Sequence, residues 1–146
     1  LIIRGCGPVG YPGAAEVVNM QPPDRLLKKG INALPTLGDG RQSGTSESPS
    51  ILHVSPESAV GGDLAIVKTG DKMRIDLNKR RVDLLISKAE FKKRRKRKKI
   101  PKLDNQTPWQ EISRSNVGQL EDGACIRSIG LYMDIVEKKG IPRNNH

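Results

Sequence analysis

Residues 73 to 86 read Met-Arg-Ile-Asp-Leu-Asn-Lys-Arg-Arg-Val-Asp-Leu-Leu-Ile. Apolar and polar side chains alternate over Met73 to Leu77 and again over Val82 to Ile86, the period of two that places one face of a strand against a core. Asn78-Lys79-Arg80-Arg81 lies between the two runs, so the stretch predicts an antiparallel hairpin. Upstream, Gly61-Gly62-Asp63 and Thr69-Gly70-Asp71 read as turns around a strand over Leu64 to Lys68. Further back, Ser50 to Val54 is apolar, and Ser55-Pro56-Glu57-Ser58 has the form of a helix start with proline in its first turn. Ile31 to Leu37 reads as a short buried strand, Asp24 as the cap of a helix through Lys29 closed by Gly30, and Ala14 to Met20 as a short helix. Leu1-Ile2-Ile3 reads as a strand met part-way, so the chain is expected to belong to a longer protein.

Downstream, Ser87 followed three residues later by Glu90 has the capping-box spacing, opening a helix that carries Phe91 and ends before Pro101. Residues 101 to 108 read as extended. Trp109 to Leu120 and Leu131 to Lys139 have helical spacing, the second closed by Gly140 with Pro142 beyond. Several short strands separated by tight turns, followed by helices, predict a β-rich α+β chain with a barrel or sandwich body and a mostly helical C-terminal tail.

Composition narrows the possibilities. Of 26 Lys and Arg among 146 residues, eight are the consecutive run at 92 to 99; the remaining 18 face 16 acids. The net charge of +10 therefore reports one short block. Leu, Ile, Val and Phe make up about a quarter of the chain, too many for a disordered tail. With only Tyr11, Phe91, Trp109 and Tyr132 as aromatics, the core must be aliphatic. No apolar run approaches the roughly 18 residues of a membrane span. Cys6 and Cys125 stand far apart, fit a reducing, cytoplasmic compartment, and cannot build a zinc or iron–sulfur site alone.

Two loops carry chemical interest. Residues 5 to 13, Gly-Cys-Gly-Pro-Val-Gly-Tyr-Pro-Gly, form a constrained loop, but they match neither the Walker nor the dinucleotide pattern. Gly38 to Ser46 is small and polar throughout and leaves the Ser43 hydroxyl reachable. Hydrolase chemistry scores low, since His53 and His146 are the only histidines and no Gly-x-Ser-x-Gly elbow is present.

The run Leu37-Gly38-Asp39-Gly40-Arg41-Gln42-Ser43-Gly44-Thr45-Ser46, with Ser48-Pro49-Ser50-Ile51-Leu52, Ser55-Pro56-Glu57 and Gly61-Gly62, resembles the dihydroxy-acid and phosphogluconate dehydratase family. Gln42, where branched-chain dihydroxy-acid enzymes typically have Phe, resembles the sugar-acid (aldonate) branch. Gly7-Pro8 through Glu16, Thr69-Gly70-Asp71, Arg74 to Leu77, Gln106-Thr107-Pro108-Trp109-Gln110-Glu111 and the ending Gly140 to His146 agree with it.

The resemblance implies the C-terminal part of a lyase: a swivelling β/β/α barrel-like domain similar to that of aconitase, lacking its first strands. It divides the chain into a barrel-like unit over 1–88 that carries the Ser43 loop, a basic helix and linker over 89–105, and a helical tail over 106–146. It further implies an N-terminal domain, absent here, that holds an iron–sulfur cluster and most ligands of a magnesium ion. Neither Cys6 nor Cys125 falls at a family cluster position, so the isolated chain is expected to be inactive. Dehydrating an aldonate to a 2-keto-3-deoxy acid needs a base for the C2 proton and a Lewis acid for the C3 hydroxyl. By the resemblance the cluster is that Lewis acid and magnesium holds the carboxylate end. Ser43 corresponds to the base, Thr45 contacts substrate or positions the serine, Glu16 is a magnesium ligand, and His146 folds back near the substrate. The implied partners are a sugar acid, the N-terminal domain and further copies in a homo-oligomer, with no membrane.

Two departures from the family stand out. Glu47 replaces a small glycine, which raises a catalytically dead paralogue as an alternative. The run at 92 to 99 replaces a helix with few arginines; eight cations surround a helix rather than mark one face, and their repulsion is expected to fray it. A nucleic-acid or importin-binding module is the other alternative. No aromatic interleaves the run, so a solvated charge run is the preferred reading over nucleic acid.

Overall fold

The computed structural model describes residues 1–14, 22–41, 49–100 and 107–141. Strands β1 (Ile2–Ile3), β2 (Thr36–Gly38) and β3 (Ser50–Ile51) pair in parallel in the order β1-β2-β3, with Ile2 opposite Leu37 and Leu37 opposite Ile51. The central strand is buried along its length. Because all three run the same way, the loops that leave Ile3, Gly38 and Ile51 emerge at one end of the sheet. Val54 N–H to Gly38 C=O and His53 N–H to Gly40 C=O, at 3.0 and 3.1 Å, hold the last two of these together. His53 sits at φ 60°, in the left-handed region that Asn, Asp and His enter more readily than other non-glycine residues.

The hairpin forms as its alternation predicts: β4 (Met73–Asp76) pairs antiparallel with β5 (Arg81–Leu84), Met73 opposite Leu84 and Asp76 opposite Arg81. Met73 and Leu84 turn towards a small aliphatic core of Leu37, Leu64 and Val67, with Ile51 and Val54 packed around it. Four α-helices complete the described residues: α1 (Asp24–Leu27), α2 (Lys88–Arg97), α3 (Pro108–Asn116) and α4 (Ile129–Lys139). The architecture is thus a small α+β arrangement in which, among the described residues, no strand exceeds four residues.

Several local expectations are corrected. Leu64 to Lys68 is no strand: Asp63–Ile66 is a 3-10 turn. Gly62, ahead of it, is packed so tightly on the Pro56 carbonyl that no Cβ fits. The Leu64, Ala65 and Val67 carbonyls, which a strand would offer to a neighbour, accept from Arg4 Nη1 at 3.4, 2.8 and 2.9 Å. Of Ile31 to Leu37 only the end is strand, and Ile31 is exposed. Ser58–Val60 is a 3-10 turn rather than the start of a longer helix. Asp24 is the first residue of α1, whose cap position is Pro23. The helix expected over Ala14 to Met20 and the extended stretch at 101–108 lie almost wholly outside the described residues.

Helix α2 takes in the basic run as far as Arg97, leaving Lys98 and Lys99 beyond its end. Ser87 Oγ accepts from Glu90 N–H at 3.1 Å, as the capping box predicts. Arg94 Nε donates to Glu90 at 2.8 Å, one turn back. Its Nη1 and Nη2 donate to the two oxygens of Asp71 at 2.6 and 3.1 Å, and this forked pair ties α2 to the turn before β4. Arg94, from inside the run, is thus an anchor rather than a solvated charge. Hydrogen bonds from Arg94 hold the Asp71 and Glu90 carboxyls below their usual range and raise the guanidinium in return. A carboxylate depressed in the folded state stabilises above its unfolded pKa, and that stabilisation is lost as pH falls through the folded value. Helix α2 should therefore loosen as pH falls below about 4. Arg94→Met should lower the melting temperature at pH 7 and flatten its dependence between pH 7 and 3. Equal acid slopes for the two proteins in a thermal series would contradict the assignment.

Candidate active site

At the carboxyl end of the parallel sheet, two acids are completely buried: Asp39, next after β2, and Glu57, before the Ser58–Val60 turn. Burying a carboxylate is costly unless donors replace its water. Asp39 Oδ2 accepts from Gly5 N–H, Ser58 N–H and Ser58 O–H at 3.1, 2.8 and 2.6 Å, and Oδ1 accepts from Cys6 N–H at 3.1 Å. Glu57 Oε1 accepts from Val9 N–H and Gln119 Nε2, both at 2.9 Å, and Oε2 accepts from Gly10 N–H at 2.8 Å. Gln119 closes the exchange by accepting from Glu57 N–H at 3.1 Å. The 5–13 loop is thus wrapped onto two negative charges through its own backbone.

This wrapping explains the loop's composition. A Cβ on Gly7 would run into the Glu57 carboxylate, and one on Gly10 would stand 2.7 Å from the Gly5 carbonyl oxygen. Glycine is required there for close approach, not for a phosphate. The amides that would cradle one are already spent on Asp39 and Glu57. From the other side, Gln110 Nε2 donates to Pro12 C=O at 3.0 Å and Arg114 Nε to Val9 C=O at 2.8 Å, both from α3. Thr107 caps that helix, its Oγ1 accepting from Gln110 N–H at 3.2 Å, with Pro108 at the first position.

Between these parts lies an open cavity of about 270 Å³. Its wall includes Cys6, Tyr11 and Ala14 from the loop, Arg41 from beyond β2, and Ser113 and Val117 from α3 and its end. Burial first, and the charge of Asp39 second, raise the Cys6 thiol above its ordinary value. Cys6 and Cys125 are the chain's two thiols, fewer than the ligands an iron–sulfur cluster takes. Among the described residues no three His, Cys, Asp or Glu side chains come together to hold a metal, and the oxygens of Asp39 and Glu57 are taken up by N–H and O–H donors. The described residues do not fit a cluster.

Glu16, Ser43, Thr45, His146 and Glu47 lie outside the described residues. What the structure does place are their neighbours: Ala14 and Arg41, each two residues along the chain from Glu16 and Ser43, share one cavity. Sequence reasoning missed Asp39, Glu57 and Gln119 as the groups that position the loop. Two of them sat inside the quoted runs, Gly38-Asp39-Gly40 and Ser55-Pro56-Glu57, and acids hemmed by small residues were the available signal.

The family model for the C-terminal region of dihydroxy-acid/6-phosphogluconate dehydratases matches residues 1–124. The chain belongs to this family. D-xylonate dehydratase of Caulobacter vibrioides is 56% identical over 147 residues, covering 100% of this chain and 24% of that protein. L-arabinonate dehydratase of Rhizobium leguminosarum is 49% identical over 94 residues, 64% of this chain and 16% of the relative. Dihydroxy-acid dehydratase of Thermodesulfovibrio yellowstonii is 42% identical over 127 residues, 86% of this chain and 23% of the relative. The chain thus spans about a quarter or less of the length of these dehydratases. The family-model match ends before α4, whereas the match to D-xylonate dehydratase takes in the whole tail. Among the described residues no helix is long and apolar enough to cross a membrane.

Proposed function

We propose that the chain is the C-terminal part of a cytoplasmic sugar-acid dehydratase, a hydro-lyase that converts an aldonate to a 2-keto-3-deoxy acid. In this reading Ser43 takes the C2 proton, Thr45 and His146 contact the substrate, and Glu16 is a magnesium ligand. The observation that carries it is the shared cavity: the chain runs from Ala14 towards Glu16 and from Arg41 towards Ser43, so a magnesium-binding carboxylate and a base would start from one wall. Arg41 adds a cation, which suits the carboxylate end of a sugar acid. Asp39 and Glu57 hold the 5–13 loop in place by the donors they accept, a rigid support of the kind a catalytic group needs.

The described thiols do not suit an iron–sulfur cluster, so its ligands come, in this proposal, from an N-terminal domain. The cluster and magnesium would supply Lewis acidity at the C3 hydroxyl and the carboxylate. The barrel-like swivel domain and a homo-oligomeric assembly belong to the same proposal. The names of the relatives support a sugar acid over a branched-chain substrate, since D-xylonate and L-arabinonate dehydratases stand at 56% and 49% identity. The test is turnover by the full-length protein offered pentonates, hexonates and 2,3-dihydroxy-isovalerate side by side. Release of a 2-keto-3-deoxy acid from an aldonate is expected. Turnover of the branched-chain acid alone, or of none of them, would overturn the reading.

A further inference from the structure

On a different face, between α2 and the segment that follows the 3-10 turn at Asp63–Ile66, lies a cleft of about 380 Å³ that shares no lining residue with the cavity of the candidate active site. Arg4 and Lys68 stand on one side; Lys93, Arg97, Lys98 and Lys99 come from the other. Glu90 is the one carboxylate in its lining, and Arg94 already engages it. Arg94 is neutralised by Asp71 as well, and Arg95 faces Asp63 at 3.5 Å outside the lining. Lys93 approaches Glu90 only at 3.9 Å. Among the described residues, Arg97 and Lys99 have no ion pair. The cleft therefore concentrates uncompensated positive charge over a floor of Ala65 to Val67, an arrangement that focuses the field on an anion. Arg4, Val67 and Lys68 also line a second depression of about 350 Å³ that reaches Thr69, Gly70 and Asp71, the last already paired with Arg94.

The lining also says what the anion is not. No aromatic ring and no Asn or Gln side chain borders the cleft, so nothing can stack a base or read its edge. An extended anion that is phosphate along its whole length fits such walls, because lysine and arginine pair with phosphate oxygens without any contact to a base. We propose that this cleft binds linear inorganic polyphosphate. Such a ligand would also relieve the repulsion among the like charges of α2.

The test uses the full chain and a labelled short-chain inorganic polyphosphate, titrated by fluorescence anisotropy at several salt concentrations. Wild type is compared with Lys93→Glu/Arg97→Glu/Lys99→Glu, and with Lys28→Glu/Lys29→Glu/Lys138→Glu, which changes net charge equally at exposed sites elsewhere. The cleft variant should bind about tenfold or more weakly, with a log–log salt slope shallower by about 2, from about 0.7 per lost contact. The control should stay within about threefold of wild type. Circular dichroism checks that α2 persists, and Arg97→Ala/Lys99→Ala repeats the comparison without reversed charges. Equal losses in cleft and control variants would reduce the effect to net charge and overturn the site. Displacement of polyphosphate by a lower phosphate concentration of single-stranded DNA would overturn the ligand, as would no binding at low salt.

Discussion

Asp39→Ala is expected to destabilise the protein by about 3–5 kcal/mol, a large share of the stability of a small domain. The substitution leaves Gly5 N–H, Cys6 N–H, Ser58 N–H and Ser58 O–H without their acceptor at a fully buried position. Each unsatisfied donor costs about 1–3 kcal/mol, moderated where relaxation admits water. Asp39→Asn separates hydrogen bonding from space filling. The amide oxygen can replace Oδ2, but the amide NH₂ then faces Cys6 N–H, donor against donor, at a cost of about 1–3 kcal/mol. Urea unfolding monitored by far-ultraviolet circular dichroism would give the midpoints, with the order wild type above Asn above Ala. A Cys6 thiol that titrates lower in the Asn variant would show that the carboxylate's charge, and not its bulk, acts on the loop. An alanine variant within about 1 kcal/mol of wild type would remove Asp39 as the organiser of this end of the sheet.

How much of this was legible depended on where each residue finds its partners. The hairpin β4–β5 was legible because its signal is local: a period of two on both arms and a short polar connection. The start of α2 was legible for the same reason, Ser87 and Glu90 being three residues apart. The strand expected at Leu64 to Lys68 failed because a short apolar run has no period to separate strand from turn. What decided it was Arg4, about sixty residues away, which takes the carbonyls a neighbouring strand would have taken. The anchoring role of Arg94 was hidden likewise, since Asp71 is 23 residues distant. In the site, the resemblance pointed to the 5–13 and 38–46 loops, while the reason for the first loop's Gly7 required the distant carboxylate of Glu57. Charge counting treated Asp39 and Glu57 as two acids among sixteen, whereas the fold makes them the two points that fix the 5–13 loop.

The second large effect concerns chemistry. If Ser43 is the base of the proposed dehydration, Ser43→Ala in the full-length protein should lower kcat by about 10²–10⁴, the range in which a positioned base contributes. If the hydroxyl acts only as C2–H cleavage proceeds, kcat and kcat/KM should fall together while KM stays nearly constant. A hydroxyl that merely binds the aldonate would instead raise KM and spare kcat. Exchange of the C2 hydrogen gives an independent readout: in heavy water the wild type should wash deuterium into C2 of unreacted aldonate, and the variant should not. Loss of the base must also be told apart from a displaced loop, and Asp39→Asn supplies the comparison. Asp39 lies four residues before Ser43 and stands behind the cavity wall rather than in its lining, so its variant should lose activity through position, with a partial fall in kcat that deepens on warming. Ser43→Ala should melt close to wild type and show a fall in kcat of the same size at every temperature below the transition. Unchanged turnover or unchanged C2 exchange in Ser43→Ala would move the base to another residue, and the cavity between Ala14 and Arg41 would then serve substrate binding alone.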